Sequence, residues 1–450
     1  MNALRITPLD RWIRSRIGLE PGSCFTREDV RRHQIGKLRE SLAYASRHSP
    51  FYRRQFSGCA GFSIVDFQEF ESLPFTTAQD LAGNPLEFLS VSQSDVARVV
   101  TIRSSGTTGQ PKRVFFDKAD LDLTVDFFQH GMSALVQAGQ RVLILMPGGM
   151  PGSVGDLLVE GLARMGAAGI VHGPVQEPAD ALDEILAHRA ECLVGIPVQV
   201  LSLVRHPESA RIPRGFIRSV LLSTDYVPES IVAEIQRTWG CRVYQHYGMT
   251  EMGYGGGVEC DAHDGYHLRE ADLFVEIVDP TTGRTLPEGV SGEVVVTTLT
   301  RRAMPLIRYR TGDMARFLPE YCPCGSTLRR LSKVQGRPAN GALLGPLTQL
   351  HMAALDEAIF AIPEILNFQA ELIPVNGLSR LSITVYCDPC RFPDTLTDVR
   401  EALVGVPAVR DAVARGILGI EPIRLSPENW FTTGAAKRTL IDRRQERSTP

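Results

Sequence analysis

The stretch RSSGTTGQPKRVFF, residues 103–116, brings glycines, hydroxyl side chains and cations together before it turns apolar. Glycine lets the backbone approach a ligand closely, N–H and hydroxyl groups donate hydrogen bonds, and a lysine offsets negative charge, so the stretch is typical of a polyphosphate-binding loop. It is not a P-loop, because Gln110 follows Gly109 where that motif has lysine. The alternative is a solvated turn between strands. The candidate phosphate-binding residues are Ser104, Ser105, Gly106, Thr107, Thr108, Gly109 and Lys112.

The chain has 450 residues, which is too long for one ordinary hydrophobic core and predicts at least two domains. Its formal net charge of −3 gives no basic surplus that would indicate nucleic acid or an anionic membrane as a partner. No run approaches the roughly 18 apolar residues of a membrane span, and the N-terminus lacks the apolar segment of a signal peptide, so we expect a cytoplasmic protein. The nine scattered cysteines are typical of free thiols or metal ligands rather than a disulfide framework.

Hydrophobic periodicity predicts helices first, then alternating strands and helices, then short strands. A helix over 27–49 would place five apolar residues near one face, namely Val30, Ile35, Leu38, Leu42 and Ala45. From residue 141 the apolar runs RVLILMP, AAGIV, CLVGIP and SVLLS alternate with helical stretches, which indicates a parallel sheet covered by helices. Short β runs follow residue 272 and an α+β segment follows residue 340. The glycine- and proline-rich stretch 333–346 is the candidate domain boundary.

Two later segments supply groups that suit a nucleotide. YQHYGMTEMG, residues 244–253, offers Tyr247 to stack on a base, Thr250 to bond a phosphate oxygen and Glu251 as a hard ligand for Mg²⁺. RYRTGD, residues 308–313, ends in Asp313, which could accept both ribose hydroxyls. Taken singly, each segment is weak evidence, since core tyrosines, capping threonines and turn aspartates are common.

Together and in this order, SSGTTGQPK, YGMTE and YRTGD resemble the nucleotide-binding motifs of the adenylate-forming superfamily of acyl-CoA synthetases. The resemblance implies an α/β fold with a large N-terminal α/β domain that carries a β subdomain, here 1–337, and a small mobile α+β C-terminal domain, here 338–450. It implies that Tyr247 packs on adenine, that Gly248 is one of the nucleotide-binding residues, and that Arg337, in QGRP, contacts ribose or phosphate. Lys437, in GAAKR, matches the mobile catalytic lysine, although alone it would be interpreted as a surface lysine of a basic tail.

A narrower resemblance, to phenylacetate–CoA ligases, rests on LAYASRHSPFYRRQF, LPFTTAQDL, TTLTRRAMPLIRYRTGD and CPCG. It implies an ATP-dependent, AMP-forming ligase that joins an aromatic or arylacetic acid to CoA through an acyl-adenylate. Thr250 would bond the α-phosphate, Glu251 would hold Mg²⁺, and Lys437 would bridge the carboxylate and the α-phosphate. The alternatives are transfer to a carrier-protein thiol or another acceptor, and an inactive homologue. The resemblance is compatible with a homodimer.

The chain departs from the family pattern at three places. Relatives usually carry one or two aspartates after the arginine of the hinge, where this chain has Pro338, Ala339, Asn340 and Gly341. The stretch STDY, residues 223–226, replaces a small residue followed by Glu and Pro. The third departure is the lysine missing from PFTTAQDL. The first departure leaves the domain rotation open, and the second leaves the identity of the acid open.

Four residues have the chemistry of a tetrahedral structural zinc site. Cys322 and Cys324 form a C-x-C on a proline-containing turn, and Cys260 and His267 flank a second tight segment, DAHDGY. His263 is an alternative to His267 as the nitrogen ligand. The alternative is that no metal binds and that these residues are three buried thiols and a surface histidine.

Overall fold

The computed structural model describes residues 7–20, 22–57, 66–102, 111–334, 336, 341–345, 348–375, 378–388, 390–426 and 437–445. Within these ranges no helix combines the length and the apolar composition that crossing a membrane requires. The secondary structure is mixed, with helices between and around several sheets.

The helices, in chain order, are α1 Pro8–Arg16, α2 Arg27–His48, α3 Pro50–Gln55, α4 Phe67–Glu71, α5 Ala78–Gly83, α6 Lys118–Met132, α7 Val154–Arg164, α8 Pro178–His188, α9 Pro197–Arg205, α10 Glu229–Trp239, α11 Met352–Ile359, α12 Phe392–Gly405 and α13 Pro407–Ala414. The strands are β1 Arg98–Ile102, β2 Lys112–Phe116, β3 Arg141–Ile144, β4 Ala168–Val171, β5 Cys192–Gly195, β6 Ser219–Leu222, β7 Arg242–Tyr247, β8 Gly257–Val258, β9 Tyr266–Leu268, β10 Leu273–Val278, β11 Gly292–Thr298, β12 Tyr309–Ala315, β13 Arg330–Leu331, β14 Ala342–Leu343, β15 Gln349–Leu350, β16 Ile365–Val375, β17 Leu378–Cys387, β18 Leu418–Ile420, β19 Arg424–Leu425 and β20 Ile441–Asp442.

Side-chain caps fix where several of these helices begin. In α2 the hydroxyl of Thr26 accepts from the N–H of Asp29, and the carboxylate of Asp29 accepts from the N–H of Thr26. The predicted apolar face of this helix is confirmed, with Val30, Leu38 and Leu42 buried. Ile35 is only half-buried; next to it the buried amide of Gln34 donates to the carbonyl oxygens of Glu270 and Leu273, at 2.9 and 3.3 Å.

The chain divides into two units. The first unit comprises Met1–Gln140, Gly148–Gly169 and Tyr244–Val334, and the second comprises Arg141–Pro147, Ile170–Val243 and Gln335–Pro450. The second unit thus contains chain from both sides of the predicted boundary after residue 337, and that boundary stays a prediction.

The first unit contains the short β runs expected after residue 272. Strands β10, β11 and β12 form an antiparallel three-stranded sheet, and β7, β8, β9 and β13 pair antiparallel in that order. Strands β1 and β2 also pair antiparallel, with Ile102 opposite Lys112. The stretch 103–116 therefore follows β1 directly and ends in β2, of which Lys112 is the first residue.

The second unit confirms the predicted parallel arrangement. Strands β3, β5 and β6 are parallel neighbours, and they correspond to the apolar runs RVLILMP, CLVGIP and SVLLS. All side chains of β5 and β6 are buried, as expected for strands covered on both faces. In the same unit β16 and β17 pair antiparallel, with β18, β19 and β20 added parallel to them. The run LSRLSITVYC is strand β17 in full.

Candidate active site

Strand β2 and the turn after β7 place Lys112 next to Glu251 in the first unit. The Lys112 ammonium donates to Oε1 of Glu251, and the hydroxyl of Tyr309, the first residue of β12, donates to the same oxygen at 3.0 Å. The Glu251 side chain is 4% exposed and the Lys112 side chain 12%. Burial raises the pKa of the Glu251 carboxyl, but the Lys112 charge and the two hydrogen bonds outweigh burial and lower it. The carboxylate is therefore kept ionised inside the protein by a cation.

A second polar contact joins the other two motifs. The hydroxyl of Tyr247, at the end of β7, donates to Oδ2 of Asp313 on β12 at 3.0 Å. Both residues are buried, and the N–H of Asp313 donates to the hydroxyl of Thr311 at 3.0 Å. The structure thus brings an aromatic ring and a carboxylate together, as a base and a ribose would require.

Glycine is needed immediately after Tyr247. A Cβ at Gly248 would lie 2.3 Å from the carbonyl oxygen of Tyr254, far inside van der Waals contact. This close approach lets the chain turn back on itself, so that Thr250 and Glu251 begin a single 3₁₀ turn, Thr250–Met252. Thr250 is half-buried at the start of that turn.

The predicted phosphate-binding residues 104–109 and Arg337 lie outside the described residues, so their roles stay predictions. The structure adds two side chains that the sequence analysis did not single out, Arg301 and Tyr309. The guanidinium of Arg301 donates to the carbonyl oxygen of Glu251 at 2.7 Å and to that of Phe115 at 2.9 Å. The sequence signal for Arg301 was its place within TTLTRRAMPLIRYRTGD. No local pattern shows which carbonyl oxygens its side chain reaches.

Lys437 belongs to the second unit and is exposed. The next residue, Arg438, is held in place at both its backbone and its side chain. Its N–H donates to Oδ2 of Asp225 at 2.8 Å, and its Nε donates to Oδ1 of Asp356 at 3.0 Å. Its guanidinium also lies over the ring of Phe368, 4.4 Å from the centroid. Asp225 is the acidic residue of STDY, so the altered stretch binds the segment that carries Lys437.

The four predicted metal ligands converge, also in the first unit. One ligand atom from each of Cys260, His267, Cys322 and Cys324 lies within 4.8 Å of the others. The sulfurs of Cys260 and Cys322 are 3.6 Å apart, and the sulfur of Cys324 is 3.4 Å from Nε2 of His267. Zinc–sulfur and zinc–nitrogen bonds of about 2.3 and 2.0 Å make the edges of a tetrahedron about 3.5–3.8 Å long. The observed separations match these edges and are far too long for a disulfide.

The backbone around the cluster also suits thiolates. The N–H of Ala262 points at the sulfur of Cys260, and the N–H of Ser326 at that of Cys324, both at 3.4 Å. Hydrogen bonds from neighbouring thiols lower the pKa of Cys322. The structure brings in His267, which is buried, and not His263, which lies against Glu259 and the ring of Tyr244.

Known proteins are similar to this chain in sequence and in architecture. The sequence profile of the family described as AMP-binding enzyme matches residues 63–300, more than half of the chain. The chain belongs to the AMP-binding enzyme family. Within it, the phenylacetate-coenzyme A ligase of Thermus thermophilus is 31% identical over 87% of this chain and 90% of that protein, and the one of Pseudomonas putida is 28% identical over 71% and 73%.

Solved structures agree with this membership. The crystal structure of 2-hydroxyisobutyryl-CoA ligase in the postadenylation state matches the AMP-binding chain with a TM-score of 0.79 at 19% identity, over 94% of each chain. At that identity the likeness speaks for the fold alone, and it confirms the predicted α/β fold of adenylate-forming enzymes.

Proposed function

We propose that the protein is an ATP-dependent, AMP-forming ligase that joins a carboxylic acid, of the aromatic or arylacetic class, to coenzyme A. The phenylacetate–CoA ligase relatives support this function. One structural observation carries it: Lys112, Glu251, Tyr247 and Asp313 come from three distant segments and meet in two buried polar contacts. A binding module has no evident need for a buried carboxylate paired with a lysine whose side chain is itself only 12% exposed.

The proposed chemistry begins with the substrate carboxylate attacking the α-phosphorus of ATP. The bond between that phosphorus and the bridging oxygen breaks, pyrophosphate leaves, and an acyl-adenylate remains. Lys112 and the loop residues 104–109 would hold the β- and γ-phosphates, Thr250 the α-phosphate, and Asp313 the ribose. Tyr247 and Gly248 would flank adenine, and Arg337 would contact ribose or phosphate.

Glu251 fits a magnesium ion, because it is a buried carboxylate that already neutralises a cation, the Lys112 ammonium. When bound, Mg²⁺ would offset phosphate charge as the phosphorus becomes five-coordinate. The residues of this chain would orient the nucleotide around that charge and exclude water from the acyl-adenylate.

Lys437 would bridge the substrate carboxylate and the α-phosphate during adenylation only. In the second half-reaction the thiol of CoA attacks the acyl carbonyl and AMP leaves. The family resemblance divides the chain into a domain of residues 1–337 and a mobile domain of residues 338–450, and a rotation of the second would remove Lys437 between the two steps. The alternative acceptor, the thiol of a carrier protein, would give pyrophosphate release without a CoA thioester.

We also propose that Cys260, His267, Cys322 and Cys324 hold a structural zinc ion. The tetrahedral edge lengths and the N–H groups aimed at two of the sulfurs support it. The four protein ligands would leave no open position for a substrate, so this ion would cross-link two turns and would take no part in the reaction.

Pyrophosphate release tests the function. The protein is incubated with ATP, Mg²⁺ and a panel of aryl, arylacetic and fatty acids, each with and without CoA. Release for one acid class, with AMP and the acyl-CoA as products, supports the proposal, and Lys437→Ala should abolish that release. Release that gives no thioester with CoA would move the acceptor to a carrier protein or another nucleophile. If no acid caused pyrophosphate release, that result would contradict the proposed function and favour an inactive homologue.

A further inference from the structure

Glu251 is held at its side chain by a residue outside the predicted set, Tyr309. The Tyr309 hydroxyl donates to Oε1 of Glu251 at 3.0 Å, and the Lys112 ammonium reaches the same oxygen and lies 3.3 Å from the Tyr309 hydroxyl. Both donors therefore converge on one of the two carboxylate oxygens. If Lys112 turned to a phosphate, the tyrosine hydroxyl would remain as the donor that fixes the rotamer of Glu251.

Tyr309 is itself rigidly placed. Its side chain is buried, and it lies opposite Val296 in the β11–β12 ladder. On the other side of the strand, Thr76 bonds its two neighbours: the N–H of Thr76 donates to the carbonyl oxygen of Arg308 at 3.0 Å, and the N–H of Arg310 donates to that of Thr76 at 2.9 Å. Backbone bonds on both sides of β12 leave the hydroxyl little freedom to move.

Arg301 holds the main chain of Glu251. Its guanidinium donates to the carbonyl oxygens of Glu251 and Phe115, at 2.7 and 2.9 Å, and lies 4.2 Å from the centroid of the Phe116 ring. It therefore ties the turn that carries Glu251 to the strand that begins with Lys112.

Asp120, in the first turn of α6, fixes the segment that carries Arg301. Its carboxylate accepts from the N–H groups of Arg302 and Ala303 at 3.1 and 3.2 Å, and it lies 3.8 Å from Nε of Arg301. Asp120 thus places a negative charge beside Nε of Arg301, while the other guanidinium nitrogens donate to the carbonyl oxygens of Glu251 and Phe115.

We propose that Tyr309 and Arg301 are positioning residues for the divalent cation that accompanies the nucleotide. Tyr309 holds Oε1 of Glu251, so that Oε2 is the oxygen presented to the cation, and Arg301 sets the separation between Glu251 and the Lys112 strand. This inference rests on the proposed function. Neither residue touches the reacting atoms, and both act through Glu251.

Mn²⁺ binding tests the inference without turnover. Free Mn²⁺ is measured by electron paramagnetic resonance as Mn²⁺ is added to the full-length protein with α,β-methylene-ATP, a nucleotide that cannot transfer its adenylyl group to the acid, and the Mn²⁺ bound by the nucleotide alone is subtracted. Tyr309→Phe removes one oxygen and should weaken Mn²⁺ binding about 10- to 100-fold, the usual effect of losing a group that orients a metal ligand. Arg301→Lys, which cannot reach both carbonyl oxygens, should weaken it in the same direction.

Two matched controls separate positioning from general loss of structure. Tyr244→Phe removes another buried hydroxyl, one that donates at 2.6 Å to Asp261, a residue outside β12, and Arg302→Lys changes the neighbouring arginine. Both should bind Mn²⁺ as the wild type does. In a Glu251→Gln background, Tyr309→Phe should have no further effect, because the hydroxyl acts through that carboxylate.

The outcomes separate the inference from the function on which it rests. Wild-type affinity in both Tyr309→Phe and Arg301→Lys would overturn the inference alone, and so would an undiminished Tyr309→Phe effect in the Glu251→Gln background. If Tyr309→Phe does not fold, as thermal melting would show, Arg301→Lys decides. If the wild type binds no Mn²⁺ with the nucleotide, the proposed function fails and the inference fails with it.

Discussion

His246, one residue before Tyr247 on β7, has its ring 6.0 Å from the Phe127 ring, centroid to centroid. Burial and the charge of Arg269 lower the pKa of His246 from 6.5 to about 4. In the unfolded chain the same imidazole titrates near its ordinary value. Between these two values the unfolded chain binds a proton that the folded chain does not, so the histidine couples stability to pH.

We expect the free energy of unfolding to fall as the pH is lowered through this window. Between pH 7 and pH 5 the histidine should account for roughly 2 kcal/mol of the loss. His246→Asn should remove that part of the pH dependence, whereas the exposed His188→Asn serves as the control. Urea unfolding of the three proteins at both pH values measures it. An equal pH dependence in the wild type and His246→Asn would contradict the pKa shift.

For individual residues, the sequence predicted which residue types form the candidate site but only some of their contacts. Glu251 was expected to hold Mg²⁺, and that role stays a prediction; the structure shows its carboxylate paired with the Lys112 ammonium. That Tyr309 would share the oxygen could not be predicted, because its contact with Glu251 spans 58 positions of sequence. Such a contact depends on how β12 pairs with β11, which no local pattern specifies.

Among the elements, the apolar runs predicted strands well and the polar turns less well. Runs such as CLVGIP became β5 because continuous β-branched and apolar residues suit a strand buried on both faces. The turns that carry the four candidate zinc ligands were predicted from ligand chemistry and from the family resemblance. What the sequence left open, His263 or His267, was decided by β9, whose His267 lies opposite Arg330 of β13 and faces the cysteines.

The two turns that carry the candidate zinc ligands support a prediction about metal content and thermal stability. Purified protein should contain about one zinc ion per chain, and the double variant Cys322→Ser, Cys324→Ser should contain none and melt at a lower temperature. Elemental analysis and thermal melting measure the two effects. Cys390→Ser, at an exposed cysteine, is the matched control and should keep the metal. Metal-free wild-type protein would refute the zinc proposal.

For the whole molecule, the parallel sheet of the second unit and the sheet of β16 and β17 were both predicted, but their membership of one unit was not. Arg205 of α9 donates to the carbonyl oxygens of Phe360 and Ile362, at 2.8 and 2.9 Å, and Arg438 reaches Asp225. These bonds span more than 150 positions of sequence. Composition marks where a linker lies, but it does not indicate which surfaces pack together.

The contacts of Arg438 support a prediction about the stability of the second unit. Burial raises the pKa of Asp356, and Arg438 opposes the rise, which leaves the pKa at about 7. Arg438→Ala should lower the free energy of unfolding by about 3 kcal/mol, because a buried carboxylate loses its partner. Asp356→Asn in the same chain should recover part of that loss. Denaturant unfolding measures both.

The exposed Arg410 of the same unit is the control for that experiment. Among the described residues its one ion pair is with the exposed Asp411, and Arg410→Ala should change stability by no more than about 0.5 kcal/mol. If Arg438→Ala changed the free energy of unfolding as little as Arg410→Ala, the contacts of Arg438 would contribute nothing to the stability of this unit.

The cysteine cluster has a consequence for the topology of the chain. Cys260 and Cys322 are 62 positions apart, and the segment between them carries β10, β11 and β12, with Tyr309 and Asp313. A shared metal ion would close that segment into a ring and deny the unfolded chain many of its extended conformations. During synthesis the ring could close only after Cys322 and Cys324 had left the ribosome, so the metal site would form after the strands that it encloses, with Tyr309 and Asp313, had already emerged.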